Sequence, residues 1–126
     1  MQKINRLRSF QYAFYGIWYT LTTQRNAQIH AGIGAVIVGL GLLLKLTFTE
    51  WAIIALTMGF VLAAEMFNTV AEAAMDAITT DFNPHIKIVK DVAAGAVLTS
   101  AITAVIVGLP IMGPPLLKWL WPLIGP

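Results

Sequence analysis

Residues 51–76 read WAIIALTMGFVLAAEMFNTVAEAAMD. Residues 51–64 are apolar apart from Thr57, and the run continues without a break into Glu65, Asn68, Glu72 and Asp76. At about 100° per residue these four side chains share an arc of roughly 80° on one helix. In lipid such a stripe is costly, about 2.5–3.5 kcal/mol for each charge near the bilayer centre. The chain is only 11% charged and has six acidic residues, and Glu65, Glu72 and Asp76 are half of them. The stripe must face protein, a metal ion or a water-filled cleft.

The rest of the composition fits a membrane setting. Of 126 residues, 58% are hydrophobic and the mean hydropathy is +0.76, well above a soluble domain with about 25% charged residues. One domain over 1–126 is expected. There is no cysteine, which excludes disulfides and thiolate metal sites. A net charge of +2 with scattered basic residues argues against a nucleic-acid surface. Lys3, Arg6 and Arg8 are followed by aromatic and polar residues without a compact apolar core, so no signal peptide is expected.

Outward from the stripe, the sequence predicts an all-α membrane protein with an N-terminal amphipathic surface helix and three transmembrane spans. Spans are expected at 31–48, 51–74 and 92–117, with a short Thr49-Glu50 turn between the first two. Pro110, Pro114 and Pro115 should limit the regularity of the third. Within 1–28, Ile4, Leu7, Phe10, Phe14, Trp18 and Leu21 fall mostly on one helical face, with Arg8, Tyr12, Tyr15 and Tyr19 on another. Lys3, Arg6, Arg8 and Arg25 and the 75–91 loop with Lys87 and Lys90 lie on one side, against Lys45 and Lys118 on the other. The first side is expected to be cytoplasmic, so the N-terminus and the polar stripe face the cytosol.

Carboxylates beside a lysine at that surface suit phosphoryl transfer, which needs a divalent metal, a cation near the transferring group and a base on the acceptor hydroxyl. Glu72 and Asp76 are hard oxygen donors suited to Mg²⁺. Lys90 can neutralise phosphate, aided by the start of the third span, and the deeper Glu65 is a candidate base. No P-loop signature is present. Two other readings stay open on residues alone. In one the carboxylates only pair with Lys90, Lys87 or Arg25 and fix helix packing; in the other they line a proton or cation pathway. His30 and His85 lack a second ligand at metal spacing, which predicts surface or interface roles. Tyr15 and Tyr19 read as headgroup-level residues.

Ala64-Glu65-Met66-Phe67-Asn68-Thr69-Val70-Ala71-Glu72, then Asp76, then Lys87-Ile88-Val89-Lys90-Asp91-Val92-Ala93-Ala94-Gly95-Ala96-Val97-Leu98 closely resemble the prokaryotic diacylglycerol kinase family, which includes undecaprenol kinases. Ser9-Phe10-Gln11-Tyr12-Ala13-Phe14-Tyr15-Gly16-Ile17, with Arg25-Asn26 and Ile29-His30, is similar to the family's surface helix and the start of its first span. The resemblance reaches to about Val107. It implies a small kinase of the bacterial inner (plasma) membrane, typically a homotrimer with sites shared between protomers. Such a kinase moves the γ-phosphoryl group of ATP, with Mg²⁺, to a membrane lipid hydroxyl. It further implies Glu65 as catalytic base at the lipid acceptor, Asn68 as its support and Glu72 as metal ligand. Lys90 and Asp91 would contact nucleotide, with Tyr12, Asp81 and Asn83 as further nucleotide contacts. Asp81-Phe82-Asn83 stands where the family usually shows Glu-Tyr-His. Gln24 stands where the family normally has a second metal-binding glutamate. The metal set is then Glu72 with Gln24 or Asp76, which raises the alternative of a catalytically weakened member that binds nucleotide or lipid. The short form leans toward the undecaprenol branch over the diacylglycerol branch.

Overall fold

The chain is organised by a tight reversal at Lys45–Thr47. The computed structural model describes residues 6–125; Lys3 and Ile4, used in the charge and amphipathicity readings, and Pro126 lie outside the described residues. Four helices follow one another: α1 (Arg6–Thr23), α2 (Arg25–Leu44), α3 (Phe48–Ile78) and α4 (Pro84–Ile124). Helices α2, α3 and α4 are each long and apolar enough to cross a membrane.

The reversal is made by local chemistry. Lys45 adopts the left-handed conformation (φ 56°, ψ 52°), with its N–H donating to the Leu42 carbonyl and the Leu46 N–H donating to the Gly41 carbonyl. This pair of bonds is a Schellman stop. Thr47 then caps α3: the Glu50 N–H donates to Thr47 Oγ1 (3.3 Å) and the Thr47 N–H donates to Glu50 Oε2 (2.7 Å), a reciprocal capping box. Thr49 and Glu50 are therefore in the first turn of α3 rather than forming the turn. Gly41 is required here, because a Cβ would stand 2.8 Å from the Trp51 ring.

The other non-helical link is equally short. Thr79 ends α3, its Oγ1 accepts from the Asp81 N–H, and Asn83 Oδ1 accepts from the N–H groups of His85 and Ile86, with Pro84 at the first turn of α4. Only 79–83 is non-helical where a 75–91 loop was expected. Hydropathy marks where lipid ends, whereas caps mark where a helix ends. Pro110, Pro114, Pro115 and Pro122 all lie inside α4, which continues through them.

Helix lengths measure the chain against the bilayer. At ~1.5 Å per residue, α2 is about 30 Å long, α3 about 46 Å and α4 about 61 Å. Only α2 matches the ~30 Å hydrocarbon core. Helices α3 and α4 form the principal pair and run antiparallel. Lys90 of α4 pairs with Asp76 of α3 at one end, and Ile54 and Met112 face a common groove near the other. The core is thin, with Ile54, Val61, Val97 and Met112 among the few buried apolar side chains, while Phe10, Phe14, Trp18, Leu56 and Phe67 are open. That is the pattern of a surface that meets lipid or other chains rather than water. Helix α1 packs against α2 and α3 and buries Thr20 alone.

Two substitutions test the reversal. Lys45→Gly relieves a side chain held at positive φ and should raise stability by about 1 kcal/mol, read as thermal unfolding in detergent; a drop would give the ammonium the larger role. Gly41→Ala should cost about 1–3 kcal/mol against the Trp51 ring. Gly34→Ala should cost clearly less, because its Cβ meets only the mobile Met58 methyl at 2.7 Å.

Candidate active site

From Phe48 to Glu65 helix α3 rises about 26 Å. With one face of a ~30 Å apolar core set at the Lys45–Thr47 reversal, Glu65 would stand just inside the other. Asn68 falls at that boundary, and Glu72 and Asp76 fall beyond it. Glu65 is the innermost group of the stripe, as expected from sequence, and the stripe runs outward from there.

Buried polar groups elsewhere in the bundle satisfy themselves on their own helices. Thr20 Oγ1 donates to the Gly16 carbonyl, Thr69 Oγ1 to the Glu65 carbonyl and Ser100 Oγ to the Val97 carbonyl. Glu65, 1% exposed, is different. Its Oε1 has no hydrogen-bond partner, and neither does Asn68 Oδ1. His30 Nε2, from α2, stands 3.3 Å from Glu65 Oε1, close enough to pair but not in hydrogen-bond alignment. The Asn68 amide is turned the other way, Nδ2 donating to Glu72 Oε1 at 3.1 Å. Two buried acceptors in one spot therefore lack a hydrogen bond, an uncommon state for buried polar atoms.

Glu65 and His30 close one end of an apolar groove of about 720 Å³, floored by α3 and walled by α2 and α4. Its lining includes Ile33, Ile37, Ile54, Leu62, Val105 and Leu109. Along α3 it runs from Glu65 to Ile54, about 16 Å. The groove offers a hydrocarbon chain an apolar bed with a single carboxylate at its end.

The outer residues form a looser, solvated set. The Asp76 carboxylate is paired with the Lys90 ammonium between α3 and α4, and Lys87 is paired with Asp91 on α4. Asp91 lies well inside α4 rather than at its N-cap, and Lys90 is likewise beyond the first turn, because the helix begins at Pro84. The cap is Asn83, whose Oδ1 is committed to the helix start. Asp81 is exposed in the α3–α4 link. Tyr12 lies on the open part of α1. Among the described residues, Tyr12, Asp81, Asn83 and Asp91 share no hydrogen bond or ion pair with Glu65, Asn68 or Glu72. Gln24 is half-buried at the junction of α1 and α2, and its side chain makes no cap hydrogen bond. No three histidine, aspartate or glutamate side chains converge on one point among the described residues.

His30 is the residue at this site that spacing did not identify. Its contact crosses from α2 to α3, and no periodicity within one helix encodes a neighbour on another. The available signal was its level: α2 and α3 are joined by a short turn, which brings the start of α2 beside the middle of α3.

The comparisons agree with the motif reading. The family model described as prokaryotic diacylglycerol kinase matches residues 11–112. An undecaprenol kinase of Bacillus subtilis (strain 168) is 41% identical over 115 residues, covering 90% of this chain and 94% of that protein. A diacylglycerol kinase of Synechocystis sp. is 43% identical over 115 residues, covering 90% of this chain and 66% of that protein. No solved structure gives a significant match. The chain belongs to the prokaryotic diacylglycerol kinase family and is a lipid kinase.

Proposed function

We propose that the protein transfers the γ-phosphoryl group of ATP, with Mg²⁺, to the hydroxyl of undecaprenol, with diacylglycerol as the other acceptor. The observation that carries the reading is the Glu65 carboxylate, buried with no hydrogen bond to Oε1, at the end of the apolar groove. A lipid chain lying in the groove would bring its hydroxyl to that carboxylate. The lean to undecaprenol is supported by the fuller overlap with the undecaprenol kinase, 94% of its length against 66% of the diacylglycerol kinase.

In the proposed step the lipid hydroxyl oxygen attacks the γ-phosphorus in line. The bond from the γ-phosphorus to the β-phosphate oxygen breaks, ADP leaves with that electron pair, and the hydroxyl proton passes to Glu65. Asn68 supports the site by holding Glu72 through its amide. The donor set suits Mg²⁺, which is commonly held by one or two carboxylates together with substrate phosphates. Glu72 keeps its second oxygen available, and Gln24 offers an amide oxygen with no cap role. Glu72 would hold the ion beside Gln24 or Asp76. Bound there, the metal supplies charge neutralisation of the phosphates.

Lys90, Asp91, Tyr12, Asp81 and the Asn83 amide are assigned to the nucleotide. The exposed Lys90–Asp76 pair is worth at most about 1 kcal/mol, so a polyphosphate can take over the ammonium at little cost. Because these groups are not gathered around Glu65 in one chain, a homotrimer that completes each site from a neighbour belongs to the same proposal. So does the orientation, with Arg25, Lys87 and Lys90 at the cytoplasmic end of the bundle, opposite Lys45 and Lys118. An amphipathic α1 lying at that surface completes the arrangement. The apolar groove closed by Glu65 gives a proton or cation pathway no polar route to follow.

A second reading, a weakened family member, is favoured by Gln24 alone, which removes one negative charge from the metal set. Two measurements separate the readings, both in vesicles with each lipid offered separately. Glu65→Gln keeps shape and burial and should lower lipid phosphorylation by about 10²–10⁴-fold with unchanged thermal stability; near-full activity would remove Glu65 as the base. Gln24→Glu should lower the Mg²⁺ concentration needed for half-maximal rate. A rise from undetectable turnover to a robust rate would instead establish the weakened reading.

A further inference from the structure

We infer that His30 is a positioning residue for Glu65: it fixes one carboxylate oxygen so that the other meets the lipid hydroxyl. The inference rests on the kinase reading of Glu65 and adds a residue to it. Every other polar group near this carboxylate is committed elsewhere. Thr69 Oγ1 donates to the Glu65 backbone carbonyl, and Asn68 Nδ2 donates to Glu72. Ser100 Oγ donates to the Val97 carbonyl. Among the described residues, His30 Nε2 is the only histidine, lysine or arginine nitrogen within 4.0 Å of the carboxylate, 3.3 Å from Oε1. That oxygen is fully buried and accepts no hydrogen bond, while Glu65 itself lines the groove end.

A carboxylate with neither oxygen held can turn about its terminal torsion, which is broad and roughly two-fold. A base must instead present one lone pair along the path of the departing proton. Pairing Oε1 with the imidazole leaves Oε2 for the hydroxyl. The contact now seen is long and poorly aligned, as such contacts often are before substrate arrives, and it can shorten into a charge-assisted hydrogen bond. The surroundings leave this job to one group. Ala101 and Ala104 of α4 line the adjoining groove wall without a polar atom in their side chains. Glu72 is two turns further along α3, Arg25 is at the start of α2, and Thr20 of α1 is bonded to its own helix.

The arrangement is that of a base oriented by a third group, with the histidine here in the orienting place. His30 does not touch the transferred phosphoryl group in this scheme, and its removal should act on kcat through the geometry of Glu65.

The chain has two histidines, His30 and His85, which makes both arms of the test clean. In lipid vesicles His30→Ala should lower kcat about 10- to 100-fold, the size of one charge-assisted hydrogen bond, with the KM for ATP unchanged. His30→Gln, which keeps a donor, and added imidazole with His30→Ala should each restore much of the rate. Independently of turnover, selective ¹⁵N-histidine labelling of the whole chain should show the His30 imidazole resonances moving in Glu65→Gln while those of His85 stay put. Wild-type kcat in His30→Ala, with Glu65→Gln inactive, would overturn the role of His30 and leave the base assignment standing. Full activity in Glu65→Gln would overturn both. Unmoved His30 resonances in Glu65→Gln, or a loss in His30→Ala that tracks a fall in thermal stability and that neither Gln nor imidazole repairs, would reduce His30 to packing.

Discussion

Asp76 meets Lys90 at one end of the α3–α4 pair, and Ile54 and Met112 share a groove near the other; this antiparallel register, read against a bilayer of fixed thickness, sets the depth of every functional side chain. The reversal at Lys45–Thr47 pins the far end of α3. Glu65 is then carried about 26 Å along α3 from the reversal, close to the ~30 Å thickness of a hydrocarbon core. A shift of one helical turn, about 5.4 Å, would move the carboxylate into the hydrocarbon or out among the solvated charges. Depth is thus a mechanical consequence of helix length measured from the short capped reversal.

At that depth the balance of polar interactions is unusual. Thr20, Thr69 and Ser100 cost the fold little because each donates to a carbonyl of its own helix, a bond that survives whatever lies outside. Glu65 Oε1 and Asn68 Oδ1 have no such relief. Leaving a buried acceptor unmade costs roughly 1–3 kcal/mol, a sizeable sum for a chain with so few buried apolar side chains. A position that served packing alone would be better filled by an apolar residue of the same size. Under the proposed function, the cost of the unsatisfied oxygens is offset when a bound molecule reaches them.

Much of this could be read from the amino-acid order. Glu65, Asn68, Glu72 and Asp76 share an arc because helical periodicity is strict within one helix, and the apolar runs announced three membrane-length helices. Helix limits were less legible, since hydropathy falls off at lipid boundaries while α3 and α4 run on to Thr79 and back to Asn83 under the control of caps. The Lys90–Asp76 pair and the His30–Glu65 approach were out of reach of spacing, because each joins two helices whose relative rotation is set by packing. Helix α4 runs on through Pro110, Pro114 and Pro115, which the sequence predicts to limit its regularity. Each removes only one hydrogen bond from a helix that α3 supports along much of its length.

The two ends of the proposed reaction differ in how firmly they are built. The acceptor end is made inside one chain, with Glu65 buried, His30 beside it and a groove walled by three helices. The donor end is a set of exposed pairs, Lys90 with Asp76 and Lys87 with Asp91. Pairs of that kind are worth at most about 1 kcal/mol each, and they exchange partners readily. That division matches the substrates. A membrane lipid arrives from a bilayer that already confines its depth, so a fixed groove and a fixed base suffice to align its hydroxyl. A nucleotide arrives from water carrying several charges, and lysines held only by weak pairs can turn to it without leaving a buried charge behind.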